Sequence, residues 1–146
     1  MSTYQFGLRI DAPPDLVFDL WTDLDRMGEW IGGVTKVTDV SGPPGEAGTT
    51  YTTWFGNVSS RTEVLEAERP KMIRTRFGSW LLRGESKATF EPEGDGTRLT
   101  QEYRVQGLIP RVMARIFATG SYRGSFRGEL NDFARLAARD ARARKG

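Results

Sequence analysis

The chain has no histidine and no cysteine, so the residues able to do chemistry are few. The usual base near neutral pH, the Ser-His-Asp arrangement, cysteine nucleophiles and the commonest zinc ligands are all excluded. Proton or anion work falls to carboxylate, arginine, lysine, tyrosine and hydroxyl groups. Arg123 and Arg127 stand out among these. At about 100° per residue they lie within the helical arc of Val112, Met113, Ile116 and Leu130, an apolar face. A buried guanidinium without a partner is too costly to keep. Each arginine therefore pairs with a sheet carboxylate, snorkels to an open end, or meets an acidic or keto-bearing ligand.

A second set comes from strands. Period-2 alternation puts Tyr51, Thr53 and Phe55 on one face, with Ile73, Thr75 and Phe77, then Ser86, Ala88 and Phe90, then Leu99, Gln101, Tyr103 and Val105. Thr75, Ser86 and Gln101 are its polar members. A few hydrogen-bonding groups on an apolar concave face suit a pocket that orients a ligand. Polar residues so placed can also bond one another or water, and a register one residue off turns them outward. Asp19, Asp23, Asp25 and Glu29 have near-helical spacing, but nothing apolar surrounds them to raise their pKa values. A solvated helix face accounts for them. No Walker, dinucleotide or EF-hand pattern is present, and neither metal nor cofactor is expected.

The elements that must position these groups follow from the same periodicities. Tyr4, Phe6, Leu8 and Ile10 alternate with polar or small residues as in a strand buried on one face. Ala12-Pro13-Pro14-Asp15 ends it and starts a helix, since proline suits a first helical turn and an acid there complements the dipole. Val17, Leu20, Trp21 and Leu24 give that helix one apolar face, and a second short helix runs on through Trp30 to Gly32-Gly33. Turn residues then cut the chain into strands expected at about 34–41, 49–55, 58–67, 71–77, 81–92 and 97–106. Their short connections imply antiparallel neighbours. From Ile109 to about Arg142 a long helix is expected, with a frayed basic tail over about 140–146. Gly120, Gly124 and Gly128 recur within it, at about 1 kcal/mol each relative to alanine. Close packing on the sheet or space left for a ligand would offset that cost.

With 146 residues, 38% hydrophobic and 27% charged, the composition is that of one soluble globular domain spanning 1–146. Residues 1–103 carry 11 basic and 16 acidic side chains, against 10 and 3 in 104–146. The basic tail RLAARDARARKG lacks the aromatics of a nucleic-acid surface and suits a solvated helix end. No segment resembles a leader peptide or a membrane span, so a cytoplasmic protein without nucleic-acid partners is expected, as monomer or homodimer.

The order strand, two short helices, six strands and long terminal helix resembles the START-like (SRPBCC) superfamily. IDAPPDLVFDLWTDLDRMGEW (10–30) is similar to the opening of its polyketide cyclase/dehydrase and lipid-transport branch, and EAERPKMIRTRF (66–77) and GDGTRLTQEYRV (94–105) match further along. The resemblance covers essentially the whole chain. It implies an α+β helix-grip fold of the START/Bet v 1-like kind: a seven-stranded curved antiparallel sheet around a long C-terminal helix, enclosing a cavity. Trp30 falls at the family's Trp position beside the cavity mouth, where it either stacks on a ligand or seals the core. The expected ligand-binding set is therefore Trp30, Tyr51, Phe55, Thr75, Phe77, Ser86, Gln101, Tyr103, Arg123 and Arg127.

Carriage of a hydrophobic or amphipathic small molecule is the leading expectation. A cofactor-free polyketide cyclase, aromatase or dehydratase is the alternative, with Arg123 or Arg127 stabilising an enolate while Tyr51, Tyr103 or a pocket water moves protons. A co-chaperone-like protein partner role is the third, favoured by apolar surface on the sheet's convex side.

Overall fold

The computed structural model describes residues 2–78, 83–106 and 121–145, with the side chains of 2, 106 and 121–127 outside that description. β1 (Ser2–Ile10) buries Phe6 and Ile10 and exposes Gln5, Gly7 and Arg9, as its alternation requires. Pro13 caps α1 (Pro14–Trp21), with Pro14 in the first turn where a missing N–H costs nothing. A 3-10 segment, Leu24–Glu29, follows. Then come β2 (Lys36–Thr38), β3 (Thr50–Phe55), β4 (Val58–Glu68), β5 (Met72–Gly78), β6 (Arg83–Glu93), β7 (Gly96–Gln106) and the helix α2 (Ser121–Lys145).

The seven strands form one antiparallel sheet in the order β1-β7-β6-β5-β4-β3-β2. Chain neighbours pair with one another, β2 and β3 across the longer segment 39–49, and β1 pairs with β7 from Ser2↔Val105 to Ile10↔Thr97. The expected fold, with its first strand against its last, is the one observed.

Two boundaries differ from expectation. β2 is confined to Lys36–Thr38 because Asp39, at φ 56, leaves the extended region. Residues 140–145, expected to fray, are the last turns of α2: Ala141 is buried and Asp140 takes a bidentate pair of hydrogen bonds from Arg26. At the other end, residues 109–120 of the expected helix lie outside the described residues.

α2 lies against β1 and α1. Among its described side chains Leu130, Phe133, Leu136, Ala137 and Ala141 are buried, one stripe at helical spacing. Opposite them the sheet offers Phe6, Ile10, Val64, Ile73, Ala88, Phe90 and Leu99. Gly84 is required in β6, since a Cβ there would meet the Arg104 carbonyl of β7 and come within 2.9 Å of the Phe77 ring.

Candidate ligand pocket

The space between sheet and helix is filled differently at its two ends. At the α1 end, aromatic rings lock edge to face. Phe18 meets Phe90 at 5.7 Å between centroids, Trp21 meets Phe133 at 5.1 Å, and Phe133 meets Trp30 at 4.8 Å. Towards the β3–β4 hairpin the inward positions carry smaller or hydroxyl-bearing side chains, and there the core opens. A cavity of about 350 Å³ is lined by residues of α1, the 3-10 segment and its following loop, β3 to β7 and α2. Phe55 and Val58, either side of the two-residue turn Gly56-Asn57, are exposed and mark its mouth.

Of the ten expected site residues, eight line this one cavity: Trp30, Tyr51, Phe55, Thr75, Phe77, Ser86, Gln101 and Tyr103. Strand pairing brings the sheet members together, because Thr75 faces Ser86 across β5–β6 and Ser86 faces Tyr103 across β6–β7. Arg123 and Arg127 belong to α2, but their side chains lie outside the described residues. The acidic set is partly engaged in ion pairs, Asp19 with Arg69 and Glu29 with Arg26. The Arg69 guanidinium holds the Asp19 carboxyl below its ordinary range. Among the described residues no acidic cluster could hold a metal ion.

The polar chemistry of the cavity is specific. Gln101, fully buried, donates from Nε2 to Ser86 Oγ at 3.0 Å, which leaves Gln101 Oε1 with no partner among the described residues. Trp30 Nε1 is likewise buried, with no partner among the described residues. Buried donors and acceptors are normally satisfied, since stranding one costs about 1–3 kcal/mol. Tyr51 is hydrogen-bonded with Thr62, and burial pushes its hydroxyl up to about 12.

Glu129 was not among the expected residues. It lines the cavity from α2, and its carboxylate accepts a hydrogen bond from the backbone N–H of Gly32. Removal from water raises its pKa to about 7, and the nearby charge of Asp132 adds to the shift. One signal could have found it. Glu129 stands four residues before Phe133, on the stripe that faces the sheet. Ser60 and Thr62 of β4 also line the cavity and were missed, because hydroxyl residues at inward positions give no apolar alternation to read.

An antiparallel sheet gripping a long helix around such a cavity defines a helix-grip protein. The chain belongs to the polyketide cyclase/dehydrase and lipid transport family, whose model matches residues 7–138. A search of curated proteins gives no match to the chain. Solved structures similar to it include a protein from Mesorhizobium loti, 19% identical with a TM-score of 0.74 over 94% of this chain and 98% of that one. One from Thermus thermophilus is also 19% identical, with a TM-score of 0.70 over 96% of this chain and 99% of that one. The di-domain ARO/CYC StfQ from the steffimycin biosynthetic pathway is 18% identical, with a TM-score of 0.72, and the match covers 97% of this chain but 46% of that protein. At these identities the likeness establishes the fold.

Proposed function

We propose that the chain binds a hydrophobic or amphipathic small molecule in the cavity between the sheet and α2. The observation that carries this reading is the pair of buried polar atoms in the cavity lining, Gln101 Oε1 and Trp30 Nε1, that have no partner among the described residues. A core built only for packing would satisfy or omit them. A ligand supplying one donor and one acceptor satisfies both. The exposed large apolar side chains among the described residues are Val40, Phe55 and Val58, and two of these rim the cavity, which favours a small-molecule ligand over a protein partner on the convex face.

Titration with N-phenyl-1-naphthylamine, a neutral fluorescent arylamine, tests the reading. Saturable one-to-one binding is expected, weakened about tenfold by Thr75→Phe, which fills the cavity while the melting curve stays cooperative. Binding unaffected by that substitution would show that the probe sits elsewhere. Cofactor-free cyclisation is the second reading, favoured by Glu129, a cavity carboxyl that changes protonation near neutral pH. Chemical conversion of a bound polyketide-like compound would move the assignment to it.

A further inference from the structure

Accepting that the cavity is a ligand site, its polar groups also say what charge the ligand carries. Glu129 projects a carboxyl from the helix wall, and Gln101 projects an unpartnered amide oxygen from the sheet wall. Both are acceptors. Among the described residues the groups around Glu129 do not neutralise it. Among the described side chains of its own helix the neighbouring charge is Asp132, a like charge, those of Arg123 and Arg127 lying outside the described residues, and the adjoining loop gives the neutral N–H of Gly32. Across the cavity the sheet presents the phenols of Tyr51 and Tyr103. Arg26, in the 3-10 segment, is already engaged with Glu29 and Asp140. Among the described lining residues Glu129 is the one formally charged group, and none of the described salt bridges includes it.

A half-buried carboxylate without a cation gains most from a ligand that brings one. The aromatic surroundings favour the same ligand. Trp30 and Trp21 line the same cavity as Glu129, and Phe133, one turn further along α2, packs against both indoles. Aromatic faces beside a carboxylate are what recognise an ammonium group.

We propose that the cavity selects an aromatic or aliphatic amine, its ammonium held by Glu129 and a further hydrogen-bond donor held by Gln101 Oε1, and that it rejects carboxylate-bearing amphiphiles. This reverses the charge preference that arginines in the cavity would impose. It also makes binding pH-dependent, because an ammonium is held by the ionised form of Glu129 and that form is depleted below about pH 7.

The test is calorimetric titration of the full chain with three probes of one shape: 1-naphthylmethylamine, 1-naphthalenemethanol and 1-naphthoate. At pH 8 the amine is expected to bind about tenfold or more tighter than the carboxylate. Moving to pH 6 should weaken the amine about tenfold by protonating Glu129, and leave the alcohol nearly unchanged. Glu129→Gln should bring the amine-to-carboxylate ratio to within about threefold and abolish the pH dependence. If that variant does not fold, the pH series on the unmodified chain decides alone. Preference for the carboxylate, or an amine affinity flat between pH 6 and pH 8, overturns the proposal. Binding by none of the three probes counts against the cavity as a ligand site, whereas alcohol binding without amine preference defeats only the charge assignment.

Discussion

The two ends of the space under α2 share one sheet and one helix, yet one is solid and the other hollow. At the solid end Phe18, Phe90 and Phe133 are fully buried and fill the gap ring against ring. At the hollow end Ser60, Thr62, Thr75 and Ser86 occupy equivalent inward positions and are too short to reach across. Short side chains at these inward sheet positions leave room there, and they bring the hydroxyls that make the room polar. A core and a binding site are here two settings of one architecture.

The contrast can be broken most severely at Phe133, which touches Trp21 and Trp30 and is completely buried. Phe133→Ala should cost about 3–5 kcal/mol of unfolding free energy, read by urea denaturation. It should also join the resulting void to the cavity, so that probe binding becomes less selective for ligand size. A loss under about 1 kcal/mol would show that the solid end is not packed as described.

Glu129 gives a subtler test. Its folded pKa of about 7 lies above the 4.5 of an ordinary glutamate, so the folded state holds an extra proton between those values. The stability this contributes is complete below about pH 4.5 and is lost as pH rises through about 7. Without ligand, the unmodified chain should melt at a temperature that falls between pH 5 and pH 8 relative to Glu129→Gln. Parallel melting curves for the two proteins across that range would mean the carboxyl is solvated. At the solid end the corresponding change is minor. Arg26 ties the 3-10 segment to α2 through Asp140 on a partly exposed surface, and Arg26→Ala should cost no more than about 1 kcal/mol. Chemical denaturation in low and high salt would check that figure.

The sheet was largely legible from sequence, because β5 and β7 carry apolar residues at alternate positions bounded by turn residues such as Gly94-Asp95-Gly96. Eight cavity residues followed from extending that alternation and from the family position of Trp30. What escaped was of two physical kinds. β4 turns polar side chains inward at Ser60 and Thr62, so hydrophobicity does not mark its buried face, and its register shifts between Val64 and Glu66. Glu129 escaped because a charged residue on a helix normally reads as surface, and only its spacing from Phe133 argues otherwise. The long helix was expected from composition, yet its end was read as fraying because the partner of Asp140, Arg26, is 114 positions away in sequence.

The pairing of β1 with β7 has a consequence for how the chain acquires its structure. Ser2 meets Val105, so the sheet closes only by bringing together segments separated by most of the chain, and α2 follows later still. Contacts of such long sequence separation are slow to form, since loop-closure entropy is lost before they repay it. In any folding intermediate with a formed sheet and an undocked α2, the concave face, Phe77, Gln101 and Tyr103 included, stands open to solvent. The rate-limiting step should therefore be sensitive to apolar additives that occupy that face before the helix covers it.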